Sequence, residues 1–507
     1  MLCIVSVLIL LSSGCSARQT SATVREPAVA GQFYPSDATA LRLAIDRFMA
    51  EALPKRVDKP LAIIVPHAGY VYCGQIIADA FRQTEGESYD LIVILGTNHT
   101  ISGFHGVSVY TRGSFRTPLG DAAIDEKAAD RLLEADRDFV FDPRVHAKEH
   151  SIEVEIPFVQ TLFPDAKILP IVIGSPDLEL CTRLAEALTT ILQDRRVLIV
   201  ASSDLSHYPQ YEDARRVDKE MLKTVALLDA EAVLATIPVL MSQRVQGLFT
   251  CACGDGPILT AMIAAKKWGA NRGTVISYAN SGDALVGDYN RVVGYGAVVF
   301  TKDEAGADTS ALQLQPEAGS TSVLTASDKS ALLALARKSI EWQLTSQTLP
   351  LPRGFGAGAR IKEGAFVTLK KRGELRGCIG HMAEDTPLDR VVGRMALSAA
   401  FEDRRFRPVT ASEMSEITVE ISALTPMQPI TDAGKIRIGT DGVVIRKEGR
   451  SAVYLPQVAT EQNWSREEML GHLCEKAGLP GDAWKRDAQF LVFQAVVFSE
   501  DDSLRDH

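Results

Sequence analysis

From residue 61 to residue 300 the chain alternates short, unbroken apolar runs with longer segments whose apolar residues recur every three or four positions. The runs are LAIIV (61–65), LIVILG (91–96), KILPIVIG (167–174), VLIVAS (197–202) and VGYGAVVF (293–300). Runs this short and this continuous predict strands buried on both faces. The intervening spacing predicts helices at GQIIADAF (74–81), SIEVEIPFVQTLF (151–163), 178–193 and within 211–235. In the second of these, Ile152, Ile156 and Val159 or Phe158 share one face. The expected fold is α/β, a mixed central sheet flanked by helices.

Residues 302–327, KDEAGADTSALQLQPEAGSTSVLTAS, are small and polar and read as a linker. A second domain is expected over 328–500. It opens with a helix, SDKSALLALARKSIEWQL, that Ser327 or Asp328 can cap. ITVEISAL (417–424) then alternates with period two: Ile417, Val419 and Ile421 face one way, Thr418, Glu420 and Ser422 the other. That is a half-buried strand in a smaller α+β domain. The two halves share no repeat.

Length and charge narrow the function. A chain of 507 residues with 46% hydrophobic content has material for more than one core. Its net charge of -10 argues against a nucleic-acid-binding surface. The eight cysteines are too dispersed for a small disulfide scaffold. Residues 2–11 are almost wholly apolar and suit the core of a signal peptide, assigned to 1–25. Ser12-Ser13-Gly14-Cys15 resembles a lipobox, although position 12 is not aliphatic and no Lys or Arg precedes the run. The expectation is an exported protein, periplasmic or attached to the membrane through lipidated Cys15. A misplaced start codon would make it cytoplasmic instead.

The candidate chemistry sits where the strands end. LAIIV runs into Pro66-His67, LIVILG into Thr97-Asn98-His99, and VLIVAS into Ser203-Asp204-Leu205-Ser206-His207. In open α/β sheets ligands bind outside the carboxyl ends of the strands. Neutral imidazoles from separate strands suit a divalent transition metal. His146-Ala-Lys-Glu149-His150 opens a helix on which His150 and Glu153 share a face, either beside the site or as a charge cluster at the helix start. Cys251-Ala-Cys253-Gly254 is a tight turn whose two thiols are too close for an easy disulfide. One of them, as a thiolate, is a soft ligand for iron, copper or zinc; the other reads as a small buried hydrophobe. Asp204 can orient an imidazole or cap the following turn. His105 and His146 read as surface residues.

PHAGYVYCG (66–74), ILGTNH (94–99), RTPLGD (116–121), EHSIEVEIPFVQ (149–160), SSDLSHY (202–208), CGDGPI (253–258) and GYGAVVF (294–300) resemble, in order, the Memo-like protein family. The likeness spans 26–301. It implies a fold like that of the class III extradiol (LigB-like) dioxygenases and a metal held by His67, His99 and Cys253. It places Asp204 and His207 at the pocket, where the related dioxygenases keep an acid/base histidine. The implied cofactor is one iron or copper ion. Redox or dioxygenase-like chemistry on an unknown small molecule or peptide, and a non-catalytic metal- or ligand-binding module, are both compatible with it.

In the second domain, Glu374-Leu375-Arg376-Gly377-Cys378-Ile379-Gly380-His381 packs two glycines around a Cys-Ile pair, so the backbone turns sharply or approaches a neighbour closely. Arg376, Cys378 and His381 are candidates for a small reactive site, weighed against a tight connection beside the salt-bridged loop Phe401–Phe406. LPRGFGAGARIKEGAFVTLKKRGELRG (351–377), LRGCIGH (375–381), FEDRRFRPVT (401–410), EITVEISALTP (416–426) and YLPQVATEQNW (454–464) resemble the AMMECR-like family over 328–499. Both resemblances in one chain imply an AmmeMemoRadiSam system protein and a functional link to a radical-SAM protein.

Overall fold

A computed structural model describes residues 24–174, 177–302 and 323–501. The apolar N-terminal run with Cys15, and most of the linker, lie outside these residues. The first domain is built on an eight-stranded sheet in the spatial order 272–280, 294–301, 62–65, 197–202, 91–97, 167–173, 107–109, 139–140. The four strands from 62–65 to 167–173 in that order run parallel. The 294–301 and 107–109 strands flank them antiparallel, which makes the sheet mixed.

The unbroken apolar runs follow from burial on both faces. Val93 and Leu95 enter one hydrophobic cluster, while Ile92 and Ile94 on the same strand enter another on the opposite face. The segment read as one helix over 151–163 is two, His150–Glu153 and Ile156–Leu162. Pro157 lacks the N–H that an incoming helix needs and starts a new one instead. Ile152, Ile156, Phe158 and Val159 are still all buried. Val24 and Arg25 already pair with Ser114 and Phe115, so the folded body begins before the boundary at 26.

The second domain opens with the helix Ala326–Ser346, which starts inside the assigned linker. Thr325, not Ser327 or Asp328, is its cap, and the Asp328 carboxylate accepts from the Thr325 backbone N–H to complete a capping box. Two four-stranded sheets follow, in the orders 374–381, 365–371, 417–424, 495–499 and 428–430, 489–493, 442–447, 450–454. The domains touch directly. Trp342 of the opening helix buries its ring edge-on against Phe48, with centroids 5.6 Å apart, and Arg353 pairs with buried Asp79 at 2.8 Å. Among the described residues no helix is long and apolar enough to cross a membrane.

Candidate metal centre at the strand ends

The strands 62–65, 197–202 and 91–97 are immediate neighbours in the sheet. Parallel neighbours lie about 4.8 Å apart, so residues just past their carboxyl ends must share one small volume. That brings together His67, Asp204 and His99. Cys253 reaches them from the far side through a close backbone approach. A Cβ on Gly254 would collide with the Ser202 carbonyl oxygen, and the Gly254 N–H donates to Ser203 Oγ at 3.0 Å. The Cys253 N–H donates to the Asp204 carbonyl, also across this seam.

Hydrogen bonds orient the two histidines. His67 Nδ1 lies 2.8 Å from Ser202 Oγ, whose hydroxyl donates to Glu155 at 3.1 Å. Ser202 therefore accepts from Nδ1–H, and Nε2 is left with its lone pair facing the centre. His99 Nδ1 lies 2.9 Å from Glu149 Oε1, and the His99 backbone N–H donates to Glu149 Oε2 at 2.7 Å. This again leaves Nε2 free. Ring nitrogens of His67, His99 and His150 lie within 4.8 Å of one another. Cys253 Sγ is 3.2 Å from His67 Nε2. Imidazoles and a thiol converging where His67 is buried, His150 and Cys253 half-buried and His99 exposed fit a transition-metal ion.

Electrostatics sort the groups. Burial, then the neighbouring histidines, drives His67 well below its usual range, so it is neutral. Burial opposes ionisation of Glu149, but its hydrogen bond from His99 and the nearby histidines outweigh that and hold it at about 2. His99 is raised, because Glu149 overcomes the cost of burial. Burial and then the Asp204 charge push the Cys253 thiol well up. Burial lifts Asp204 to about 7 and drags His207 down to about 4. Among the described residues, His207 Nε2 is buried with no hydrogen-bond partner. Asp204, not His207, is thus the group nearest neutrality, and the His207 ring is neutral.

The structure places the other candidates as follows. Asp204 Oδ1 accepts from the His67 backbone N–H at 2.8 Å, so it ties the Pro66–Ala68 turn rather than capping the turn after it. His150 enters the cluster, its ring stacked on His99 at 4.7 Å. Glu153 does not follow it: buried, it binds Arg25, the Ala28 and Val29 backbone and the Tyr34 hydroxyl. Cys251 is a fully buried small side chain. His105 is exposed. His146 is not a surface residue; it is 1% exposed, lies against Tyr110 and is 3.0 Å from Ser108 Oγ. Sequence reasoning assigned no role to Ser202, Glu149 or Glu155. Glu149 alone carried a signal, as the carboxylate next to His150.

In the second domain, LRGCIGH is not a turn but part of the strand Glu374–His381. Its glycines serve close approach: a Cβ at Gly377 would strike the Ala399 carbonyl, and one at Gly380 the Phe366 ring. Cys378 and His381, three apart on a strand, point to opposite faces. Arg376 binds Glu413 through two 3.1 Å hydrogen bonds, and His381 binds Asp385 at 2.8 Å. The Cys378 backbone N–H donates to Asp403, and Arg405 donates to the Cys378 carbonyl. The three side chains do not converge.

Comparison with known proteins agrees with this division. A family model described as Memo-like protein matches residues 25–299, and one described as AMMECR1 matches 333–498. A MEMO1 family protein of Methanopyrus kandleri is 34% identical over 290 residues, which cover 55% of this chain and 99% of its own. One from Aquifex aeolicus is 37% identical over 281 residues, covering 55% and 99%. The crystal structure of the uncharacterized protein PH0010 from Pyrococcus horikoshii is 35% identical over 35% of this chain and 93% of its own, with a TM-score of 0.34. The chain belongs to the Memo-like protein family and carries an AMMECR1 domain behind its Memo-like domain.

Proposed function

We propose that the Memo-like domain holds one iron or copper ion at His67, His99 and Cys253 and performs redox or dioxygenase-like chemistry on a small-molecule or peptide substrate. One observation carries this reading: two imidazoles whose Nδ1 atoms are engaged, and a thiol 3.2 Å from one Nε2, converge at the ends of neighbouring parallel strands. A bound iron or copper ion supplies Lewis acidity and redox capacity at open coordination positions. The chain's own residues do the rest. Ser202 and Glu149 fix the histidine tautomers. Asp204 exchanges a proton near neutral pH, and His207 Nε2 is free to accept one from a bound substrate. His150 lies close enough to serve as a further nitrogen ligand.

The test is metal content by mass spectrometry on anaerobically purified full-length protein, beside His67→Ala, His99→Ala, Cys253→Ser and His150→Ala. Near one equivalent in the parent, lost in the first three variants with folding retained, is the expected result. Retention in His150→Ala assigns that ring to the surroundings, and loss makes it a ligand. Equal metal throughout, or none in the parent, overturns the reading. Metal binding without oxygen uptake on any screened substrate points to a metal-binding module serving a partner, such as a radical-SAM protein.

A further inference from the structure

His207 is carried between two segments: its own N–H donates to the Thr250 carbonyl and its carbonyl accepts from the Phe249 N–H, while its neighbours form a ladder with 292–294. The Leu205 N–H donates to the Gly294 carbonyl, Gly294 N–H to Ser206, Tyr208 N–H to Val292 and Val292 N–H to Pro209. Tyr208 holds a left-handed backbone, φ 74°, which a bulky side chain adopts only under constraint. The ladder's second segment is anchored at the turn Asn280–Asp283. The Ser281 N–H donates to the Val293 carbonyl, and the Val293 N–H to Ser281 Oγ. Asp283 accepts from the Asn280 N–H at 2.8 Å and from the Tyr211 hydroxyl at 2.6 Å.

The last ligand of this turn comes from the other domain. Arg390, 1% exposed, donates to the Gly282 carbonyl and, at 2.5 Å, to Asp283 Oδ1. It lies on the helix Leu388–Phe401, whose Leu388, Val391, Val392 and Ala396 pack into the second domain's own core. Gly393 shares the face of Arg390, three residues on. Its missing side chain leaves the space that Leu285 of the first domain occupies. One face of this helix thus builds its own domain while the other grips the turn behind His207.

We propose that Arg390 is a positioning residue for the Memo-like site: the AMMECR1 domain, through the Asp283 turn, holds the ladder that aims His207. The proposal rests on the reading of His207 as a site residue. His67 and His99 follow the strands 62–65 and 91–97, and their rings are held by Ser202 and Glu149 rather than by the Asp283 turn.

The test compares full-length parent, Arg390→Met and Arg390→Lys by hydrogen exchange and by labelling of His207 with diethyl pyrocarbonate, both read by mass spectrometry, with metal content in parallel. Arg390→Met is expected to raise exchange in peptides covering 205–209 and 292–294 by roughly tenfold. His207, with its nitrogen now accessible, becomes reactive. Strands 62–65 and 91–97 and the metal content stay at the parent level, and Arg390→Lys restores part of the protection. Asp283→Asn, which weakens the same link from the first domain, gives the same pattern and covers the case in which Arg390→Met does not fold. Faster exchange confined to 280–284 and 388–394, with 205–209 and His207 unchanged in both variants, overturns the proposal. Because the readouts need neither metal nor turnover, a metal-free protein would refute the metal-centre reading while leaving this result interpretable.

Discussion

The Memo-like and AMMECR1 domains both concentrate histidine, cysteine, arginine and carboxylates around glycines, yet they dispose of them in opposite ways. In the first, atoms at the centre are left to one another or to nothing: His67 and His99 engage Nδ1 with Ser202 and Glu149, His67 Nε2 meets the Cys253 thiol, and among the described residues His207 Nε2 has no partner. In the second, Arg376 closes on Glu413, His381 on Asp385 and Arg405 on Asp403. Topology accounts for the difference. Neighbouring parallel strands end at the same edge of a sheet, so their trailing residues gather there. The AMMECR1 strand Glu374–His381 has an antiparallel neighbour that ends at the opposite edge and contributes nothing beside it. A dense motif becomes a site only where several strands deliver unsatisfied atoms to one place.

The comparison is tested most severely at its glycines. Gly254→Val and Gly377→Val each place a side chain against a backbone carbonyl, that of Ser202 and that of Ala399 respectively. Each is expected to destabilise its own domain by about 3 kcal/mol, since a backbone cannot move aside as a side chain can. Denaturant unfolding followed by limited proteolysis, to see which domain opens, checks both. Only Gly254→Val should also abolish metal retention, because it displaces Cys253. Loss of metal in Gly377→Val as well would contradict the separation of roles.

Next in size is Glu149→Gln. The carboxylate is 1% exposed and accepts from both the ring and the backbone of His99. A neutral amide still permits the contact but does not fix the tautomer. Metal affinity, measured by chelator competition, should fall about 10- to 100-fold. Asp403→Asn, the corresponding change in the second domain, should leave affinity untouched.

These partners show where legibility stopped. The buried strands, and the residues just beyond them, could be read directly: an unbroken apolar run specifies both burial and the point at which it ends. Glu149, Ser202 and Glu155 matter through contacts between segments far apart in the chain, 50 residues for His99 and Glu149 and 47 for Ser202 and Glu155. No local pattern encodes such a pairing. His146 was misplaced for the same reason: Tyr110, Ser108 and Arg25, which bury it, all come from elsewhere in the chain. The glycines of LRGCIGH signalled either a turn or a close approach, and only the positions of Ala399 and Phe366 decide between them.

A smaller effect separates the domains by pH. Hydrogen bonds from Arg376, then from the Thr410 backbone and Lys371, hold the Glu413 carboxyl at about 2, against the burial that opposes ionisation. Its folded pKa is depressed, so its contribution is full above the unfolded value near 4.3 and is lost as pH falls from there towards 2. Glu413→Gln should cost about 1–2 kcal/mol at pH 7 and flatten the acid limb of the second domain's stability profile. An unchanged acid limb would mean that the pairing is not maintained in solution.

The smallest expected effect is at Cys378, although the sequence draws most attention to it. Its backbone N–H and carbonyl, not its sulfur, take the contacts with Asp403 and Arg405, and these survive any side chain that fits. The sulfur accepts from the Thr368 hydroxyl, at 3.2 Å, and thioether or thiol sulfur is a weak acceptor. Cys378→Ala should therefore cost under about 1 kcal/mol and leave metal content and oxygen uptake at the parent level. If the variant folds normally and yet loses an activity that Arg390→Met retains, the second domain has chemistry of its own, and its closed network of pairs is the resting form of a site rather than a scaffold. If it behaves as the parent, the conspicuous motif is a packing device, and the domain's contribution to function runs through the helix that grips the turn behind His207.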